Sequence, residues 1–152
     1  MMTTRVLRSL SILATLTGAA LAADVKTILQ HARSIEADAT QINMTLKSKK
    51  FDASDLKAKI DGAHANYANL QKAVSEYEAA NAGAVNSTEW KAVKDRVELL
   101  GIFLNRKNEL VSDAQKNRGM LRAHAQGIAK RAADLQQTAS RLQSSSTTSS
   151  GS

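Results

Sequence analysis

The sequence contains no cysteine and no proline in 152 residues. Without cysteine there is no disulfide, no thiolate metal site, no iron–sulfur cluster, no covalently attached haem and no cysteine nucleophile. Proline averages about 5% of residues in proteins, so its absence leaves no ring to interrupt a helix and no proline-centred turn. Aromatic residues are scarce too, with one Trp, two Tyr and two Phe. That is too few for a β-sandwich, whose strands draw on Val, Ile, Tyr and Phe. What is present is 43% hydrophobic residues and a formal net charge of +7, from 21 Lys and Arg against 14 Asp and Glu. This length and composition predict a single all-α domain with an aliphatic core.

Both ends differ from the middle. Residues 1–22 have the pattern of a secretory signal peptide. Arg5 and Arg8 form the cationic start, Leu10, Ile12, Leu13, Leu16 and Ala19–Ala22 form a short apolar stretch, and Ala20-Leu21-Ala22 is a small-x-small cleavage site. The apolar run is shorter than the roughly 20 residues of a membrane span. Cleavage before Ala23 would lower the formal charge from +7 to +5, because the leader carries two arginines and no acid. The other end, residues 144–152, is a Ser/Thr/Gly run without an apolar side chain and is expected to be disordered. The expected organisation is therefore a leader (1–22), a helical domain (23–143) and a tail (144–152). Two sequons, at Asn43 and Asn86, matter only in a cell that glycosylates such sites. Small secreted domains usually rely on disulfides. About 120 residues of long amphipathic helix can do without them by packing along their length.

From Val25 onward the apolar residues recur three and four apart, the pattern of helices packed lengthwise. The first stripe is Val25, Ile28, Ala32, Ile35, Ala39, Ile42 and Leu46, ending at Lys47-Ser48-Lys49-Lys50, cations that suit a helix C-terminus. A second start is marked by Asp52 as N-cap with Asp55 three residues on, and by Phe51 and Leu56 as a hydrophobic staple. Its stripe is Leu56, Ile60, Ala63, Tyr67, Leu70, Val74 and Tyr77. Gly62 lies inside it at a cost of up to about 1 kcal/mol relative to Ala, which a close helix contact would explain. Asn81-Ala82-Gly83-Ala84 breaks the pattern. Asn86, Glu89 and the Val85–Trp90 staple then repeat the start device, followed by Trp90, Val93, Val97, Leu100, Leu104, Val111 and Ala114, with Lys107 a polar intruder. Lys116-Asn117-Arg118-Gly119 reads as a turn, because Asn and Gly favour helix ends. A last stripe runs Leu121, Ala125, Ile128, Ala132, Leu135, Ala139 and Leu142. Four segments of about 24 to 29 residues, roughly 36 to 43 Å each, predict an up-down-up-down four-helix bundle. Because the third and fourth stripes share register, a helical hairpin plus one long helix from Ser87 to Gln143 is the alternative.

Chemistry-bearing constellations are few. His31, His64 and His124 lie beside the stripes with axial offsets of about 10 Å, too far apart for one metal with zinc–nitrogen bonds of about 2 Å. Met44 and His124 could share a level as haem ligands, yet Met44 falls on an outer heptad position and His124 on a flank. No HExxH, GxSxG, P-loop or GxGxxG occurs. No catalytic, cofactor or metal residue is nominated, and no cofactor is expected.

Two features stand out. In Leu99-Leu100-Gly101-Ile102-Phe103-Leu104, five residues of six are apolar, where a packed helix needs about three in seven. Leu99, Ile102 and Phe103 therefore point off the main stripe, either because this helix is the most buried or as an apolar contact patch. The second feature is charge. Lys47, Lys49 and Lys50 lie at one turn and Lys116, Arg118 and Arg122 at another, and an up-down bundle puts both turns at one end, where they can meet anionic lipid, polysaccharide or nucleic acid. Nucleic acid fits least, because no aromatic platform interleaves with these cations.

The spaced residues Ile35-x-x-Asp38 … Ile42-Asn43-x-Thr45, Val85-Asn86-Ser87 … Leu104-Asn105-Arg106-Lys107-x-x-Leu110-Val111 and the Leu/Ala-rich stretch Leu121–Leu135 resemble the fungal hydrophobic surface-binding, or cell-wall galactomannoprotein-like, family. The resemblance implies a secreted helical protein that adsorbs to hydrophobic or cell-wall surfaces and carries no catalytic residues. The chain departs from that family in having a Ser/Thr tail where its members continue into a further helix. The expected function is thus a secreted, non-enzymatic helical protein that binds a surface or a protein partner, including a second copy of itself. The alternative is a bacterial periplasmic adaptor or carrier whose basic end meets anionic envelope components.

Overall fold

The computed structural model describes the backbone of residues 17–105 and 111–148 and the side chains of residues 25–105 and 111–145. Four long helices account for most of it: α1 (Thr17–Lys47), α2 (Ala53–Ala80), α3 (Thr88–Asn105) and α4 (Arg118–Thr148). The fold is an all-α four-helix bundle. Cross-helix contacts fix the directions. Lys59 meets Thr45 and Asn66 meets Asp38, so seven residues up α2 correspond to seven down α1. Tyr67 meets Val97 and Trp90 meets Glu78, which makes α2 and α3 antiparallel as well. Arg122 meets Asn43 and Gln136 meets Glu36, so α4 runs against α1. The alternative of one helix from Ser87 to Gln143 is excluded, because residues 112–117 form turns between α3 and α4.

The heptad stripes are the core. Every stripe residue named above is buried except Tyr67 and Val111, which are half-buried against it. The α1–α4 and α1–α2 seams are the most extensive, α3 rests mainly on α4, and α2 and α3 touch less than any of these pairs. Ala32 and Ala39 on α1 and Ala125, Ala132 and Ala139 on α4 recur at heptad spacing, all buried. Short side chains let two helix axes approach closely, while the intervening Ile and Leu fill the remaining space.

Several boundaries differ from those expected. Helix α1 starts at Thr17, so the expected cleavage point before Ala23 falls inside it, while the rest of the leader lies outside the described residues. At the other end α4 continues past Gln143 to Thr148. There Ser144 and Ser145 donate their hydroxyls back to the carbonyls of Ser140 and Arg141, a bond that lets serine remain in a helix. Helix α3 has only 18 residues, and Lys107 lies outside the described residues. Ala114 is buried nonetheless, from within the turn segment.

The caps also differ in detail. Asp52 caps α2 as expected, accepting from the Ser54 N–H at 2.8 Å and from its hydroxyl at 2.9 Å. Asp55 pairs with Lys59 (2.6 Å). Helix α3 is capped by Ser87 and not by Asn86, since the Ser87 hydroxyl oxygen accepts from the Trp90 N–H at 3.1 Å. Serine and asparagine are equivalent caps, and two adjacent candidates leave the sequence ambiguous by one position. Asn81 closes α2, donating its side-chain amide to the Tyr77 carbonyl at 2.9 Å. Asn117 and Gly119, read as a helix end, stand at a helix start: the Asn117 carbonyl accepts from the Leu121 N–H at 2.9 Å.

Candidate functional site

The two basic turns meet at one end of the bundle. Arg118 donates to the Ser48 carbonyl at 3.2 Å and the Gln115 side-chain amide donates to the Lys49 carbonyl at 2.8 Å. Arg122 donates to the Asn43 side-chain oxygen at 3.3 Å. These bonds span 66 to 79 residues of chain and clamp the α1–α2 link against the start of α4. Arg118 and Arg122 are half-buried by this work, whereas Lys47, Lys49, Lys50 and Lys116 are exposed. Those four lysines form no ion pair among the described residues. The carboxylates nearby are Asp52, Asp55 and Asp113. Asp55 is neutralised by Lys59, and Asp52 is engaged by Ser54, whose backbone and hydroxyl bonds hold its carboxyl below the usual aspartate range.

Two exposed methionines flank this end, Met44 (61% exposed) in the last turn of α1 and Met120 (53%) in the first turn of α4. The heptad pattern puts Met44 on an outer position, while Met120 goes unmarked by it. The available signal was an apolar side chain beside a helix terminus and off the core stripe. The clamp itself, through Gln115 and the Ser48 carbonyl, had no sequence signal, because backbone acceptors are not legible in residue type.

The expected apolar patch is divided by the structure. Ile102 is exposed (46%) and Leu99 is half-buried, but Phe103 packs onto α4. Its ring lies against Gly127, beneath the Arg131 guanidinium at 4.0 Å and edge-on to His124 at 6.4 Å. Gly127 creates the slot, since a Cβ there would stand 3.0 Å from the ring. A cation over an aromatic face is favourable, so Phe103 has a structural partner. Among the described residues the Arg131 Nε is buried without a hydrogen-bond partner, as is Nε2 of His64.

The α2–α3 contact is held by aromatic and polar groups. Trp90 stacks on Tyr77 with centroids 4.3 Å apart and donates its indole N–H to Glu78 at 3.0 Å. Lys94 reaches the same Glu78 carboxylate at 2.9 Å. These donors, Lys94 first and then Trp90, hold the Glu78 carboxyl below the usual glutamate range. Further along, the Tyr67 hydroxyl donates to the Val97 carbonyl at 3.0 Å. Burial and the Glu98 charge push that phenol above its ordinary value. The close contact expected at Gly62 is absent, since Gly62 has open space around it, and Gly101 is the glycine that a close approach requires.

The three histidines are half-buried on three different helices, α1, α2 and α4. Among the described residues no group of three or more His, Asp or Glu is placed to hold a metal ion. At the opposite end, Lys26, Leu29, Gln30, Arg33 and Gln143 line an open depression. Among the described residues no helix is long and apolar enough to cross a membrane. Comparison with protein families, with curated proteins and with solved structures found no match to this chain.

Proposed function

We propose that the protein is an exported, non-enzymatic helical module that binds a surface, with the basic end of the bundle as its contact. The observation that carries this reading is the clamp from Arg118 and Gln115 onto residues 48 and 49, which gathers six cations from two distant segments while leaving four lysines exposed and without an ion pair among the described residues. A cationic patch of this kind attracts polyanions and anionic surfaces through field strength and is screened by salt. The contact would be an anionic component of a cell envelope or wall. The test is retention on sulfated polysaccharide beads. The parent protein should be retained at low salt and released at high salt, and the Lys47→Gln/Lys49→Gln/Lys50→Gln variant should lose most of that retention. Equal retention of parent and variant would overturn the reading.

A second reading, adsorption to hydrophobic surfaces as in the family that the sequence resembles, is favoured by the exposure of Ile102 beside half-buried Leu99. Phe103 contributes little to it, because its ring is committed to α4. The comparison is adsorption to hydrophobic beads of the parent and of Leu99→Ser/Ile102→Ser. Equal adsorption would remove this reading.

A further inference from the structure

We infer that the surface which the basic end contacts is an anionic phospholipid bilayer, with Met44 and Met120 entering its interface. This rests on the basic-end reading above and names the chemistry of its partner. A hydrated polysaccharide or a nucleic acid would use the cations alone and would leave both methionines in water. A bilayer uses both kinds of group, because anionic headgroups attract lysines and the boundary just beneath them accepts apolar side chains.

The vertical arrangement fits such an interface. Met44 lies three residues before Lys47, the last residue of α1, which is about 4.5 Å of helical rise. Met120 lies two residues inside Arg118, the first residue of α4, or about 3 Å. Both sulfurs are therefore carried within one turn of the tip. Interfacial segments sink about 5 to 10 Å into the headgroup and acyl boundary, which is deep enough to bury both side chains. Lys47, Lys49, Lys50 and Lys116 sit on flexible four-carbon stems, so their ammonium groups can stay at phosphate level while the stems follow the apolar gradient. Arg118 and Arg122 are tied to Ser48 and Asn43, so they hold the two turns together beneath the contact. The opposing carboxylate charge is small, because Asp55 is already paired with Lys59 and Asp52 is occupied by its capping bonds. Among the described residues of the α3–α4 link, Asp113 is the remaining acid, and it is exposed. The exposed methionines are also soft and unbranched, which suits an irregular and fluid partner.

The experiment uses the full chain and large vesicles of phosphatidylcholine, with or without about one-third phosphatidylglycerol, in parallel with the sulfated polysaccharide beads. The parent should bind the anionic vesicles and not the neutral ones. Each lysine removed should weaken vesicle binding by roughly fivefold, so Lys47→Gln/Lys49→Gln/Lys50→Gln should lose roughly a hundredfold. Met44→Ser/Met120→Ser should weaken vesicle binding by roughly tenfold and leave retention on the beads unchanged. As a second readout, peroxide should oxidise Met44 and Met120 in free protein and spare them in vesicle-bound protein. Both residues are exposed, so the methionine variant keeps its core, which far-UV circular dichroism checks. Retention on beads without vesicle binding would overturn the lipid assignment and leave the basic-end reading standing, as would a methionine variant that binds vesicles like the parent. Absence of both would overturn the two together.

Discussion

Gly101→Ala tests how the bundle is held at the sparse contact between α2 and α3. A Cβ on residue 101 would lie 2.1 Å from the Tyr67 hydroxyl oxygen and 2.6 Å from Cζ, far inside contact distance. That hydroxyl is tethered, since it donates at 3.0 Å to the carbonyl of Val97, one helical turn before Gly101. Replacing glycine by alanine in a helix interior is otherwise favourable by about 1 kcal/mol. Against that gain stand the strain of overpacking, about 1 to 3 kcal/mol, and the loss of one hydrogen bond, about 1 kcal/mol. The net expectation is a destabilisation of about 1 to 3 kcal/mol. With a urea slope of about 1 to 3 kcal/mol per molar, the unfolding midpoint should fall by about 1 M. The single tryptophan reports the transition, because Trp90 stacks on Tyr77 at the α2–α3 contact and unfolding exposes it. In a Tyr67→Ala background the three atoms nearest the methyl are gone, and the same substitution should cost much less or become mildly stabilising. An identical effect of Gly101→Ala with and without Tyr67 would refute the argument.

Gly62→Ala is the complementary case. Its Cβ meets nothing within 4 Å, so the change should raise stability by about 0.5 to 1 kcal/mol, read as a higher urea midpoint. Ser87→Ala removes the bond from the Trp90 N–H and should cost about 1 kcal/mol, whereas Asn86→Ala should change the midpoint little. Glu78 and Asp52 both have folded-state pKa values below their ordinary ones. Their contribution is complete above the ordinary carboxylate range and is lost as pH falls through the lower folded values. Glu78→Gln should therefore flatten the acid limb of a stability–pH profile, and an unchanged limb would contradict this. Tyr67 has the opposite sign. Its raised value means that its contribution is complete below the ordinary tyrosine range and is lost as pH climbs through the folded value.

The bundle was legible in the sequence because each stripe obeys one rule, burial of every third or fourth side chain, and the rule does not depend on distant residues. Tyr67 and Phe103 show where that legibility ends. Both are large side chains whose position is decided by a glycine on another helix, Gly101 for Tyr67 and Gly127 for Phe103. Nothing near Phe103 in the chain indicates that it will turn onto α4 and leave Ile102 as the exposed member of the patch. Asn117 and Gly119 show a different limit, because the same residue types favour both ends of a helix. The shared end of the six cations followed from topology alone. The bonds that fix it use the backbone carbonyls of residues 48 and 49, which every sequence has.

The broad seam between α1 and α4 has a consequence for how the molecule comes into being. It joins the first and last helices of the described chain. A growing or threading chain can pair α1 with α2 as soon as both have emerged. The other face of α1 then waits, its aliphatic groups uncovered, through the whole of α3 and the following turns. The bundle closes only when Arg118 and the residues after it arrive. Until then the polypeptide is an open hairpin with an uncovered apolar side, exposed to capture by chaperones or by its own kind. Truncation that removes the buried positions of α4, Leu121 to Leu142, would leave that face of α1 uncovered.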